Sequence, residues 1–565
     1  DTNKYYWEAT GTQNNEQMQW GVHGTHISAY EADNRNTNSP ASADMAVMMW
    51  QPYGSAPYLY GFDASSGTYG DLLSTSNGNP ANGDIFGFVF DGATGKFYVW
   101  FKGVELSGQD YSAGTSVFDA VDSTKTYAIH SMQGDGGVST KSGNFVMNWG
   151  QDSSFAGAKT AQGNTDANGI GDFYYSVPSG AKALCSKNLL EPTIAFPDEH
   201  FDTLIWTGTA ASHTLTGLNF QPDLFWAKSR SQSYHHTLID SVRGTNKQLW
   251  SNRTNDEQTD TSFLTSFNSN GVTLGDNSSG SGATNTNGHT YVGWNWKAGG
   301  SASSNGDGSI TSSVSANTTA GFSIVSYSGN GTDGATVGHG LGVAPDCIII
   351  KSRNLGTLGT AAAHWSVSHK SLTGGLNGGS SAKKLYLSLT NAESANSHGA
   401  VSAVSSTTFT LKTGSGNDAD AHVNDSSGTY IAYCFSEVAG FSKFGSYEGN
   451  QNADGPFVYL GFTPAWIMIK NADNASNRQW CIIDATRTTI NKSASAEVLF
   501  ANDSQSESVA NNNYGQFASK PAVDILSNGF KVREGETSAY TQTNRPNSHI
   551  YLAFAESPFK YARAR

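Results

Sequence analysis

Pro222-Asp-Leu-Phe-Trp-Ala-Lys228, Pro345-Asp-Cys-Ile-Ile-Ile-Lys351 and Pro464-Ala-Trp-Ile-Met-Ile-Lys470 are three versions of one seven-residue phrase. Each opens on proline, runs through apolar residues and closes on lysine. A short apolar run bounded by turn residues reads as a strand. Proline suits a strand's first position, where no ladder donor is needed. The lysine at the far end is expected to hold its charge in solvent while its stem packs. The prolines recur after about 120 residues, longer than a solenoid repeat and close to a whole β-sandwich domain.

Three further landmarks keep their order around the phrase. An aromatic strand and glycine turn precede it: Leu204-Ile-Trp-Thr-Gly208, Phe322-Ser-Ile-Val-Ser-Tyr-Ser-Gly329 and Phe444-Gly-Ser-Tyr-Glu-Gly449. An apolar strand with a polar end follows: His236-Thr-Leu-Ile-Asp240, Trp365-Ser-Val-Ser-His369 and Trp480-Cys-Ile-Ile-Asp484, with Arg243 and Arg487 at equal distances beyond the first and last. A closing strand comes after a polar loop: Tyr291-Val-Gly-Trp-Asn-Trp296, Tyr430-Ile-Ala-Tyr-Cys-Phe435 and Tyr551-Leu-Ala-Phe-Ala555. Clusters of Asn, Gly, Ser and Asp separate these runs, and no helical period outlasts a turn or two. The sequence predicts an all-β chain of tandem antiparallel β-sandwich domains, jelly-roll or concanavalin-like. A first domain spans residues 1–195, and three copies of one repeat span 196–300, 301–439 and 440–565. Connectors around 298–308 and 438–443 are too short for freely tumbling domains, so a beaded rod or a compact stack is expected.

Composition agrees. Charged residues are 14 % of the 565, against roughly 25 % in an ordinary soluble protein, and aromatics reach 12 %. Disordered chains lack aromatics and carry high charge. Coiled coils need long A/E/K/L/R-rich stretches. A membrane helix needs about 20 apolar residues, and the longest runs here, such as Cys347 to Ile350, are strand-sized. The net charge is −14 and nothing basic clusters, so no nucleic-acid partner is expected. Cys185, Cys347, Cys434 and Cys481 lie far apart without ligand spacing and read as small buried hydrophobes. The chain opens at Asp1 without a start Met or an apolar signal region, so upstream material is expected to have been removed or left out.

In the first domain, Tyr5-Tyr-Trp-Glu-Ala-Thr10 alternates as a strand. Asp84-Ile-Phe-Gly-Phe-Val-Phe90, Asp91-Gly-Ala-Thr-Gly95 and Lys96-Phe-Tyr-Val-Trp-Phe101 read as strand, glycine turn and strand, a hairpin signal. Asn144-Phe-Val-Met-Asn-Trp-Gly-Gln151 adds a late strand. Residues 4–8, 83–100 and 148–155 resemble, in order, the first strand, central hairpin and late strand of a SPRY domain. That resemblance implies a two-sheet, concanavalin-like sandwich used for binding. The ending Phe173-Tyr-Tyr-Ser-Val-Pro-Ser-Gly180 with Ala183-Leu-Cys-Ser-Lys-Asn-Leu189 resembles the SPRY-like modules of bacteriophage proteins. The three-copy region resembles a repeat module of marine tailed-phage virion proteins, and Phe554-Ala-Glu-Ser-Pro-Phe-Lys-Tyr-Ala-Arg-Ala-Arg565 resembles their ending.

Few constellations suggest chemistry. Lys228, Lys351 and Lys470 with Asp240 and Asp484 are the best recurring polar set, but His369 replaces Asp in the second copy, which favours structural ion pairs or solvated strand ends. His23 and His26 sit in a glycine-rich stretch that does not read as a helix, and His235 and His236 are strand neighbours facing opposite ways. Asn164-Thr-Asp-Ala-Asn-Gly169 with Asp172 imitates the start of a calcium loop, yet Tyr175 stands where the closing Glu belongs. An Asx-rich turn explains it better. No nucleophile elbow, phosphate loop or His-Glu-x-x-His occurs. No catalytic residue, metal site or cofactor is therefore assigned. The ligand-binding candidates are Trp50, Tyr53, Tyr58 and Tyr60, within an aromatic stretch broken by turn residues that offers rigid contact area. Trp50 has a competing reading as the end of a core strand beginning at Met45.

The expectation is a structural virion protein of a tailed phage: a tail fibre or other receptor-binding appendage that recognises host-surface glycans through many weak sites. Its partners would be a host glycan or receptor, other virion proteins and, by resemblance to phage fibres, two further copies in a homotrimer. The alternatives are a capsid or neck decoration protein binding only virion proteins, a polysaccharide depolymerase with paired carboxylates in one groove, and a secreted bacterial adhesin.

Overall fold

The computed structural model describes residues 3–12, 17–24, 45–51, 58–63, 68–70, 78–116, 121, 127–134, 144–189, 191–278, 284–354, 363–395, 399–413, 422–473, 478–487, 497–507, 522–535 and 542–561. They form two units, residues 1–190 and 191–565. Both are all-β, built from antiparallel sheets with a few single 3-10 turns.

The first unit runs β1 (Lys4–Thr12), β2 (Gln17–Gly24), β3 (Met45–Gln51), β4 (Tyr58–Asp63), β5 (Thr68–Gly70), β6 (Ile85–Asp91), β7 (Lys96–Phe101), β8 (Val104–Glu105), β9 (Tyr127–Gly134), β10 (Asn144–Asn148) and β11 (Ala181–Ala183). One sheet has the order β10-β1-β6-β7-β8, with β11 parallel beside β1, and the other β5-β4-β3-β2-β9. Strand alternation on β1 sends Trp7 and Ala9 to one face and Tyr6 and Glu8 to the other. Trp7 packs with Trp20 and Val22 of β2 and with Phe86, Phe88, Phe97 and Val99, so the two sheets share one aromatic core. Tyr6 joins Tyr98, Trp100, Phe173 and Ala183 on the far face. The expected hairpin is β6–β7. Asp91 accepts the N–H groups of Ala93 and Thr94 within the turn. At Gly95, φ is +69° and an added Cβ would meet the Val121 carbonyl at 1.9 Å, so only glycine fits.

The second unit repeats one sandwich three times. The first copy holds β12 (Phe201–Thr207), β13 (His213–Thr216), β14 (Leu224–Ser229), β15 (Thr237–Asp240), β16 (Lys247–Gln248), β17 (Gln258–Thr259), β18 (Leu264–Asn268), β19 (Gly271–Leu274) and β20 (Thr290–Trp296). The second holds β21 (Ser303–Asn305), β22 (Ser312–Asn317), β23 (Phe322–Ser328), β24 (Thr336–Gly338), β25 (Cys347–Ser352), β26 (Ser366–His369), β27 (Lys383–Tyr386), β28 (Ser394–Ala395), β29 (Ala400–Val404), β30 (Thr408–Lys412) and β31 (Thr429–Phe435). The third holds β32 (Ser442–Glu448), β33 (Phe457–Tyr459), β34 (Phe462–Asn471), β35 (Cys481–Asp484), β36 (Leu499–Phe500), β37 (Val523–Leu526), β38 (Gly529–Val532) and β39 (Ser548–Pro558). The larger sheets share the orders β12-β20-β14-β15, β23-β31-β25-β26 and β32-β39-β34-β35, and the smaller ones β13-β19-β18, β24-β30-β29 and β33-β38-β37.

The apolar phrases are now explained, because each is buried on both faces. Leu224 and Trp226 face a core common to all three copies, while Phe225 and Ala227 face their own sandwich interior. Cys347 and Ile349 alternate with Ile348 and Ile350 in the same way, as do Trp466 and Met468 with Ile467 and Ile469. The three larger sheets therefore pack around one axis, where Trp226, Trp296, Trp365, Tyr433, Trp466 and Phe554 meet around an apolar cavity of about 20 Å³.

Two landmarks change on inspection. The landmark glycines, Gly208, Gly329 and Gly449, mark close approaches. An added Cβ would lie 2.2, 2.2 and 1.8 Å from the carbonyls of Thr286, Asp425 and Arg545. Tyr551 is not the counterpart of Tyr291 and Tyr430. Trp206 stacks on Tyr291 at 5.4 Å, Tyr327 on Tyr430 at 5.1 Å, and Tyr447 on His549 at 5.0 Å, so His549 holds the third position. Tyr551 pairs with Gly445, where the other copies pair Gly293 with Leu204 and Ala432 with Val325. The bulk has moved across the ladder. A two-residue offset keeps a side chain on the same face, which is why sequence pattern alone does not expose it.

Candidate functional site

The recurring lysines sit at the joints between copies, and they are fully buried, not solvated strand ends as their position suggested. Each ammonium donates to the carbonyl of the next residue: Lys228 to Ser229 at 2.6 Å, Lys351 to Ser352 at 2.9 Å and Lys470 to Asn471 at 2.6 Å. Lys351 and Lys470 also reach carbonyls of the preceding copy, Thr254 and Thr390, both at 3.3 Å. Lys228 reaches Gln232 in its own copy. Burial brings all three down to about 7.

The polar ends of the third landmark strand close the ring. Asp240 accepts from Arg243 Nε at 2.6 Å and from Tyr433 Oη of the second copy at 2.9 Å. Asp484 accepts from Arg487 Nε at 2.5 Å and from Trp294 Nε1 of the first copy at 2.9 Å. His369 Nδ1 accepts from the Ser371 N–H, leaving Nε2 to donate to the Tyr551 carbonyl of the third copy at 3.3 Å. The other ends of these strands work likewise. His236 donates to Phe500 O, Trp365 to Trp250 O and Trp480 to Tyr386 O. First touches second, second third, and third first. The ion pairs expected for Asp240 and Asp484 are present, and both are fully buried. Removing one partner of such a pair typically costs about 3–5 kcal/mol.

Glu257, Glu393 and Glu507 complete the joints and were not legible in the sequence. Their N–H groups donate to Arg353 O, Ala472 O and Arg230 O of the neighbouring copy. Glu257 binds both Arg243 and Arg353, and Glu507 both Arg487 and Arg230. They lie in loops of unequal length, so no spacing announces them. The second-to-third joint differs: Ala472 replaces the arginine, and Glu393 pairs with Lys383 of its own copy.

In the first unit, Trp50 lies on β3 opposite Met18 and Leu59. Tyr58 and Tyr60 lie on β4 opposite Gln51 and Met49, so these aromatics belong to hairpin strands. Tyr53 and His26 fall outside the described residues. The Asp166 carboxylate is filled by N–H donors from Asn168, Ile170, Ala183 and the Asn188 amide, the Asx turn the sequence favoured. Glu8, buried at 0 % exposure, accepts from Tyr6, Asn148, Tyr174 and Tyr175, and burial raises its pKa. Cys347, Cys434 and Cys481 are buried and unpaired thiols, and Cys185 is partly exposed.

A family model matches residues 196–558, almost the whole second unit. The chain belongs to the family described as a domain of unknown function, DUF7483. No curated protein matches it. The DUF7483 match spans all three copies together, in keeping with their common core and closed joints. Asp240, Asp484 and His369, which close the joints of this DUF7483 unit, are each hydrogen-bonded to a neighbouring copy. No helix among the described residues is long and apolar enough to cross a membrane.

Proposed function

We propose that the chain is an adhesive structural component of a tailed-phage particle, a tail fibre or comparable host-contacting appendage. The observation that carries this reading is the ring of three sandwiches locked by cyclic joints. Such a body holds surface loops in fixed relative positions, which is what multivalent binding by weak sites requires. The SPRY-like sequence motifs of the first domain and the phage-like ending support it, and the aromatic stretch that holds Trp50, Tyr53, Tyr58 and Tyr60 is the favoured contact for host-surface glycans. Homotrimerisation belongs to the same proposal.

The test is binding of the purified chain to host cells and their extracted glycans, beside the Tyr53/Tyr58/Tyr60→Ala variant. Saturable binding that falls at least tenfold in the variant, without sugar release, is the expected result. Binding that survives moves the site elsewhere. Released oligosaccharide promotes a depolymerase, and absence of both binding and release favours a decoration protein with only virion partners.

A further inference from the structure

The second copy carries a surface that its siblings lack. The β21–β22 hairpin adds two strands to the open edge of β23, and the enlarged sheet bears an ordered array of hydroxyls. Ser304 is directly opposite Ser313, and Ser313 opposite Ser326. One row along, Ser328 is opposite Thr429, and Thr311, just before β22, lines the same cleft. Opposed residues share a face, and residues two apart along a strand do too. The result is two rows of three hydroxyl side chains, spaced about 4.8 Å across strands and about 7 Å along them. Tyr327 and Ser312, of the alternate parity, are buried. The array floors an open cleft of about 350 Å³, lined by no Asp or Glu among the described residues.

Arg353 stands at its end. Its Nε and Nη2 fork onto Glu257 at 2.8 and 2.9 Å, and Nη1 donates to Ser326 Oγ at 3.3 Å. A guanidinium has five N–H donors, so one on Nη1 and one on Nη2 are left over. The fork fixes the group in place, so little side-chain freedom is lost when those donors are used. Ser304, Thr311 and Ser328 are exposed and Ser313 is partly buried, an array open to a ligand that both gives and accepts hydrogen bonds.

We propose that this cleft binds a segment of acidic polysaccharide, with sugar hydroxyls along the serine and threonine rows and a sugar carboxylate on Arg353. Strand spacing is close to the length of one extended pyranose unit, so successive sugars lying across the strands meet successive rungs. The proposal goes beyond the glycan reading of the β3–β4 hairpin by placing a second site in the repeats and naming its ligand class.

The test uses the intact chain carrying Tyr53/Tyr58/Tyr60→Ala, so that the hairpin does not report. It is titrated calorimetrically with a galacturonate hexasaccharide and with uncharged cellohexaose. Saturable binding that prefers the uronate is expected. Ser304→Val/Ser313→Val/Ser328→Val, substitutions that favour strands and lie outside the joints, should weaken it at least tenfold. Arg353→Gln should remove the preference for the charged sugar. No saturable uronate binding, or equal affinity in the triple-valine variant, overturns the proposal. Should Arg353→Gln disturb the joint, the triple-valine variant still decides. Loss of this site with host-cell binding intact leaves the adhesive reading standing, and the converse result removes that reading alone.

Discussion

A lysine in a protein interior is either paired, hydrogen-bonded or neutral. Lys228, Lys351 and Lys470 have carbonyl partners but no carboxylate in ion-pair range among the described residues, and Lys384 donates to the Gly399 carbonyl. Burial brings each of the four to about 7, whereas an unfolded lysine titrates near 10.4. Between those values the unfolded chain holds protons that the folded chain has released. Unfolding then takes protons up, and stability rises as pH climbs from about 7 towards 10. Below that window both states are protonated, and the folded state bears the whole cost of buried ammonium groups. Calorimetric unfolding at about pH 8.5, in two buffers of different ionisation enthalpy, should show uptake of up to four protons, and about one fewer in Lys351→Met. Stability that falls across this range would show that the amines stay charged inside. The sequence exposed these lysines as a set but not their surroundings. A lysine ending an apolar run looks the same whether water or a neighbouring copy lies beyond it.

At the level of strands, reading was surest where the pattern is local. The β6–β7 hairpin and the order of the repeat landmarks follow from alternation and turn residues. The two-residue slip at Tyr551 does not, because period two is blind to it. Edges were also hidden. β23 is covered by β22, whereas β12 and β32 are paired on one side only among the described residues. At one equivalent position, the covered strand has Ser323 and the open ones Asp202 and Lys443. Asp202 accepts the Thr203 N–H on its own strand at 2.7 Å, and Lys443 lies 5.2 Å from the Tyr459 ring. Charged side chains placed on an edge strand keep foreign strands from adding. The Asp202→Ser/Lys443→Ser variant should therefore self-associate, with its sedimentation coefficient rising with concentration while the parent's does not. A variant that stays as dispersed as the parent refutes this role.

At the scale of the whole molecule, the sandwiches expected from the sequence are present, and the three copies of the second unit take the compact arrangement rather than the beaded one. Composition and repeat length describe one copy, but contacts between copies depend on where Trp226, Trp365 and Trp466 point once three sheets face each other. Each copy leaves half of its apolar phrase uncovered without the other two. Ending the chain at residue 439 removes Phe444, Trp466, Met468, Trp480, Leu552 and Phe554 from the common core, each worth about 1.5–3 kcal/mol when buried. A fragment of residues 191–439 should therefore lack a cooperative thermal transition, while residues 191–565 melt in one step. A fragment melting within a few degrees of the parent would show the copies to be independent. The ring is not uniform, however. Two joints are clasped by Arg230 and Arg353 reaching across to a glutamate, and the third has Ala472. Mechanical load on the ring thus meets two joints with an ion pair across them and one held by hydrogen bonds without an ion pair. Under strain the body opens between its second and third sandwiches, as a bracelet does at its clasp, with the other two joints serving as hinges.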